Sequence, residues 1–446
     1  MKQYFFITFI LLFSFCENSS AQNPEIKITI KGAENKQLKF AYYYQDNISL
    51  VKEFSLDKKG KATLKFDEKL PKGIYLIIIP EVTYFDVLIS DNQQFELKTD
   101  IKDPISNMKI KNSSANKVFY DYQNEVSELM QNKMKLDEEL ANTSDTLKIR
   151  QLEQQKTELN EQITKQWKDE IERNESPFFT TLLKAMHVFE VPYNQFYDYV
   201  DFSESSLVKT PFFYNILNYH IATNIEKSPQ EIIKENDYLI SLTKQDSVIY
   251  QYVTYYFLTK YKDICKFGIN EVFVDISEKY FLNGNATWLQ PEGIELISKT
   301  VENYKYSIIG NKAYNFKALS TTGDSIALYD IDAEYKILFF WSVGCGHCEE
   351  AADSLRNNYT ALQNKGYEVF AINIDSKTTE SWEKYIKKQN YTWTNGIDIR
   401  ENYNTRANYY VCSSPLAYII DKENIIIGKL YGQAQICDFV ERFAKQ

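Results

Sequence analysis

The chain has 446 residues, room for about three domains at roughly 150 residues each. Lysine and arginine number 51 against 61 aspartates and glutamates, a net charge of -10 that excludes the clustered positive charge nucleic-acid binding needs. Hydrophobic residues at 44% and aromatics at 15% exclude global disorder, and Gly (14) and Pro (10) at about half their usual share exclude collagen-like and glycine-linker chains. With three histidines, His187, His220 and His347, a multi-histidine metal enzyme lacks ligands. No metal or other cofactor is expected.

The first 21 residues have the pattern of a secretory signal peptide. Lys2 supplies the positive n-region, and Tyr4 to Phe15 is a largely apolar run of 12 residues, too short to span a bilayer core of about 30 Å. Ser19 and Ala21 offer small residues before a cleavage point at Gln22. The competing reading lipidates Cys16, but bulky Phe15 precedes it. Cleavage after Ala21 is the expectation, and it implies the periplasm or cell envelope, where disulfides persist. No later run approaches about 18 apolar residues, so the mature chain is read as soluble.

Residues 22–102 alternate apolar and polar side chains, as in Ile26, Ile28 and Ile30, then Leu38, Phe40 and Tyr42. Gly73 to Ile79 and Tyr84 to Ile89 suit buried strands. Turn signals every 8–12 residues predict a small β-sandwich, with no catalytic constellation. Residues 103–305 are read as helical. Phe119, Tyr122, Val126, Leu129, Leu136 and Leu140 recur at helical spacing. Asn142 to Asp145 breaks the run, and Leu152, Leu159, Ile163 and Trp167 resume it. This predicts a helical hairpin over 114–172 with charged outer faces. It packs within one chain or across a dimer. The intramolecular arrangement is the working expectation, and a monomer is compatible with it. Gln251 to Tyr261 is read as a buried helix, His187 and His220 as structural, and Cys265 as a small buried hydrophobe.

Residues 306–446 carry the chemistry. A hairpin around Thr322-Gly323-Asp324 precedes the apolar strand Lys336 to Trp341. That strand runs straight into Cys345-Gly346-His347-Cys348, and Glu349 to Leu362 follows as a helix ended by Gly366. Next come a strand from Tyr367 to Ile374 and a helix from about Thr378 to Gln389. Ser414-Pro415 leads into the strands Leu416 to Ile420 and Ile425 to Leu430. A helix over Gln435 to Ala444 closes the chain.

A cysteine pair at a strand-to-helix junction is a redox device. The helix N-terminus presents free N–H groups and about half a positive charge, which stabilise a thiolate. Cys345 is therefore the expected nucleophile. Cys348, one turn on, is the expected resolving thiol. His347, when protonated, would add positive charge beside Cys345 and make the disulfide more oxidising. The alternative, half of a zinc site, needs four ligands, and only Cys412 and Cys437 are left to supply them. Cys412 is read as a buried loop cysteine, with a third redox thiol and a Cys412–Cys437 bridge as alternatives.

Phe316, Leu319, Gly323, Leu328, Phe339-Phe340-Trp341, the Cys345–Cys348 pair, Ser414-Pro415 and Ile419-Ile420-Asp421 together resemble the thioredoxin fold. More narrowly, they resemble the TlpA/ResA-type secreted thiol–disulfide oxidoreductases, over the last 140 or so residues. The resemblance implies that Pro415 is cis and that Trp341, Ser414 and Pro415 contact substrate. It also implies protein thiols and disulfides as substrates, and a membrane electron donor or acceptor. Two acids common in such domains are replaced, by Phe339 six residues before the first cysteine and by Ala351 three after the second. The expected architecture is thus α+β and multidomain: a β-sandwich, a helical region and an α/β thioredoxin-like domain. The expected function is secreted thiol–disulfide exchange in envelope proteins. Its rival is an envelope binding or scaffold protein with a degenerate thioredoxin-like domain. Oxidation, reduction and isomerisation all remain open, since C-G-H-C suits the first and last while the resemblance suggests a reductase.

Overall fold

The computed structural model describes residues 23–45, 47–264, 268–374, 379–397 and 405–445. The leader, with Cys16 and the Ala21 cleavage site, and Cys265 lie outside them. Among the described residues no helix is long and apolar enough to cross a membrane. The chain divides into two compact units, one of Met1–Glu226 with Asp237–Val253 and one of Lys227–Asn236 with Thr254–Gln446.

The first unit opens with eight strands: β1 (Glu25–Lys31), β2 (Gln37–Tyr44), β3 (Asn47–Ser55), β4 (Lys61–Lys65), β5 (Gly73–Ile79), β6 (Thr83–Ile89), β7 (Gln94–Asp100) and β8 (Lys109–Lys111). They form two four-stranded sheets, ordered β4-β1-β7-β8 and β3-β2-β5-β6. Period-two alternation turns Ile26, Ile28 and Ile30 of the first sheet inward, where they share one core with Phe40, Tyr75, Ile77 and Val87 of the second. This is the expected sandwich, and its last strand extends to Lys111.

Strand β5 is apolar on both faces because Ile74 and Leu76 are buried on the other side. Helix α1 (Ser114–Ala141) begins beside the edge strand β6. The Asn116 side chain pairs with β6 as a neighbouring strand would: its amide donates to the Leu88 carbonyl (2.7 Å), and its oxygen accepts from the Leu88 N–H (2.8 Å). At Leu88 this edge is thereby closed to pairing with another chain.

Helix α2 (Thr146–Arg173) completes the hairpin. Ser113 caps α1, and the Asp145 carboxylate caps α2 by accepting from the Leu147 amide at 2.8 Å. His187 stacks on Trp167, with centroids 4.7 Å apart, and is hydrogen-bonded on both ring nitrogens, to Glu190 and Tyr122. Its role is structural. The buried His220 likewise meets the Tyr193 hydroxyl, at 2.9 Å. Further helices follow as α3 (Pro177–Met186), α4 (Phe196–Tyr199), α5 (Phe213–Asn224), α6 (Pro229–Thr243) and α7 (Ser247–Asp263). Within α7, Tyr256, Phe257 and Tyr261 are all buried, as the clustered aromatics of that segment suggest.

In the second unit, α8 (Ile269–Tyr280) and α9 (Pro291–Lys305) precede a seven-stranded mixed sheet. Its elements are β9 (Lys317–Ser320), β10 (Ser325–Ala327), β11 (Tyr335–Trp341), α10 (Gly346–Gln363), β12 (Tyr367–Asn373), α11 (Thr379–Gln389), β13 (Thr394–Ile397), α12 (Thr405–Asn408), β14 (Leu416–Asp421), β15 (Ile426–Tyr431) and α13 (Gly432–Lys445). The strand order is β10-β9-β13-β12-β11-β14-β15, with β11 parallel to β12 and antiparallel to β14.

Strand β11 is apolar throughout because it feeds two cores. Ile337, Phe339 and Trp341 pack toward α10 and α13, while Leu338 and Phe340 pack on the opposite face with Phe316, Phe370 and Tyr418. Strand β13 escapes the sequence reading. It is only four residues long, and its Gly396 leaves no room for a Cβ, which would lie 2.7 Å from the Ala318 Cβ. Helices α8 and α9 belong structurally with this sheet. Lys429 of β15 is buried with its Nζ 3.5 Å from both Asn270 Oδ1 and the Ser307 carbonyl, and burial pushes its ammonium down to about 8.

Candidate active site

Strand β11 ends at Trp341, and the chain crosses Ser342 to Gly344 before α10 begins. Gly344 has φ 83°, in the left-handed region that favours glycine. Cys345 is the N-cap of α10, with φ -97° and ψ 105°. Its carbonyl accepts from the Cys348 and Glu349 amides at 2.9 and 3.0 Å, which starts the helix. Cys345 and Cys348 are joined by a disulfide with their Cα atoms 5.2 Å apart. One turn of helix thus brings the two sulfurs together.

The two cysteines differ in access. Cys348 is 0% exposed and sits in the core with Phe339, Ala351 and Ala352, whereas Cys345 is only partly buried. A partner can reach Cys345 alone. Gly346 faces open space where any Cβ would meet nothing within 4 Å. His347 is 81% exposed, and its Nδ1 lies 3.9 Å from Glu350 Oε2, so its charge when protonated is shared with that carboxylate. The Ser414–Pro415 peptide is cis. Ser342 Oγ and Ser414 Oγ are 3.4 Å apart, which brings the proline loop beside the residues leading into Cys345.

Trp341, expected at the substrate surface, lies inside instead. It is 1% exposed, because strand alternation puts it on the same face as Ile337 and Phe339, toward α10. Its ring packs against Tyr385 of α11 and Tyr391, at centroid distances of 6.0 and 5.9 Å. Positions 339 and 351 are both fully buried, so the replaced acids leave apolar walls around Cys348.

Cys412 is disulfide-bonded, which removes it as a free third thiol, and Cys437 is a free cysteine, which removes the Cys412–Cys437 bridge. Sequence reasoning missed two contacts. The Gly344 amide donates to Glu349 Oε1 at 3.0 Å, and the Tyr391 hydroxyl donates to Asp353 Oδ1 at 3.1 Å. The acids of the first turns of α10 were visible as a cluster. Their partners depend on how the loop and α11 fold back.

Residues 309–429 match the AhpC/TSA family. The thiol-disulfide oxidoreductase ResA of Bacillus subtilis (strain 168) is 24% identical over 127 residues, covering 28% of this chain and 67% of that protein. A solved domain of a possible thiol-disulfide isomerase from Cytophaga hutchinsonii is 33% identical, over 31% of this chain and 94% of that one, with a TM-score of 0.27. A thioredoxin-like protein from Bacteroides caccae aligns over 59% of this chain and 93% of its own, at 20% identity and a TM-score of 0.41.

Proposed function

We propose that this chain, whose C-terminal domain is a thioredoxin-like thiol–disulfide oxidoreductase, is exported by its leader and exchanges disulfides in envelope proteins through Cys345 and Cys348. The observation that carries this reading is the disulfide at the N-terminus of α10, with one accessible and one buried sulfur.

In the reduced protein, the Cys345 thiolate is stabilised by the N–H groups and dipole of α10. It attacks one sulfur of a substrate disulfide. A mixed disulfide forms and the other substrate sulfur leaves as a thiol. Cys348 then attacks the Cys345 sulfur, restoring the protein disulfide and releasing the substrate dithiol. Ser414, on the loop beside Ser342, offers backbone to the substrate chain, and Pro415 shapes that loop. Trp341 serves as an inner wall of the site. His347, when protonated, adds charge at the rim. In this direction two electrons must return to the pair from a membrane donor; in the reverse direction the pair passes two electrons to a membrane acceptor.

The test uses the chain from Gln22. Cys345→Ser should reduce disulfide exchange by about a thousandfold or more, as loss of a reacting group does. Cys348→Ser should accumulate the mixed disulfide. Full activity in Cys345→Ser would sink the reading. The equilibrium with glutathione then gives the direction: a potential near about -270 mV marks a reductase and one near about -180 mV an oxidase or isomerase.

A further inference from the structure

We propose that Glu349 is a positioning residue: it ties down the loop entering the cysteine pair and holds the pair's equilibrium toward the disulfide. The inference rests on the reading of Cys345 and Cys348 as the exchanging pair.

Glu349 belongs to the first turns of α10, yet its carboxylate folds back over the helix end to accept the Gly344 amide at 3.0 Å. It thereby fixes the residue immediately before Cys345, at a backbone conformation open to glycine. In the disulfide form the Cys345 side chain makes no capping hydrogen bond. The first N–H groups of a helix have no intrahelical acceptor, so a thiolate released at this position would take them. The Glu349 carboxylate already occupies the same end of the helix. A Cys345 thiolate would therefore form beside a fixed negative charge, and like charges disfavour each other's ionised form.

Among the described residues, the charged groups around this end are engaged elsewhere. His347 is turned toward Glu350, at 3.9 Å. Asp353 is engaged by the Tyr391 hydroxyl and by Arg356, at 3.1 and 3.0 Å. Tyr385 packs against the cluster that holds Cys345. Burial first, and the Glu349 carboxylate second, hold its phenol above the ordinary range, so it stays protonated beside that carboxylate.

The equilibrium in question is balanced. The protein disulfide and two glutathione thiols give the protein dithiol and glutathione disulfide. One S–S bond breaks and one forms, and two electrons and two protons pass to Cys345 and Cys348. By destabilising the thiolate, Glu349 lowers the share of reduced protein. It opposes the oxidising tendency that His347 alone would give.

The experiment replaces Glu349→Gln, which keeps an acceptor for the Gly344 amide and removes the charge. The readouts are the equilibrium constant with glutathione and the Cys345 thiolate titration of the reduced protein. The dithiol should gain about threefold, the size of a charge effect at a helix end. That is a rise of about 14 mV at 29.6 mV per tenfold. The Cys345 titration should move to lower pH. Glu350→Gln, at a carboxylate shared with exposed His347, should shift both readouts less. The proposal is overturned if Glu349→Gln matches the parent chain in both, or if Glu350→Gln moves them as far. If the parent chain does not equilibrate with glutathione at all, the exchange reading itself fails.

Discussion

After β3, the sandwich turns at Asp57, whose carboxylate accepts from the Lys59 and Lys61 amides at 2.7 and 2.9 Å. These bonds hold its pKa below the usual range. At the far edge of the same sheet, Asn116 takes both backbone groups of Leu88. In the C-terminal domain, β11 ends differently. The helix after it starts at a residue whose side chain caps nothing, because its sulfur is bound to the next cysteine along. The strands differ as well: β3 is largely exposed, while β11 is buried almost throughout. At these two points the sandwich satisfies backbone donors with its own side chains, while the second region leaves donors at a helix end beside an accessible sulfur. Chemistry is concentrated where local satisfaction is withheld.

Two substitutions sharpen that contrast. Phe339→Ala removes a fully buried ring that lies nearly parallel to Trp341, beneath the cysteine-bearing helix. It should cost about 3–5 kcal/mol of unfolding free energy in denaturant titrations. A loss under about 1 kcal/mol would mean that the site does not rest on this core. Asn116→Ala, in the sandwich, should cost less, about 1–3 kcal/mol, because it strands a buried N–H and a buried carbonyl on Leu88. It should leave the glutathione equilibrium of Cys345 and Cys348 unchanged. A shift there would break the separation drawn between the two regions.

What the sequence disclosed follows the same division. Alternation exposed the sandwich strands because one face of each sheet meets a single core, as with Ile26, Ile28 and Ile30. The hairpin was legible from its periodicity and from Asn142 and Asp145, residues that do end and start its helices. The cysteine pair stood out because its spacing matches one helical turn. Strand β13 did not, since four residues with a glycine carry no period. Nor is the burial of Lys429 legible, since its partners Asn270 of α8 and Ser307 lie far off in sequence and no local pattern announces a covering element. The position of Trp341 was recoverable from the parity of β11, since it shares a face with Phe339. The Glu349–Gly344 bond was not, because it depends on a loop doubling back over its own helix.

The smallest expected effect tests a partly buried carboxyl in the sandwich. Asp86 of β6 is half-buried, and burial pushes its carboxyl up to about 6 despite the hydrogen bond from the Tyr43 hydroxyl at 3.3 Å. A carboxyl whose folded pKa exceeds its unfolded value near 3.8 favours folding only while protonated. Its contribution is complete below about pH 4 and is lost as pH rises through about 6. Each pKa unit is worth about 1.4 kcal/mol, and partial hydration reduces the total to about 1–2 kcal/mol. Asp86→Asn keeps an acceptor for Tyr43 and removes the titration. Denaturant unfolding at pH 4, 5, 6 and 7 should show the variant more stable at pH 7 by that amount. Its slope between pH 4 and 7 should be flatter. Parallel curves for the two chains would mean that Asp86 is as well solvated as the groups at the Asp57 turn. The sandwich would then hold no strained charge.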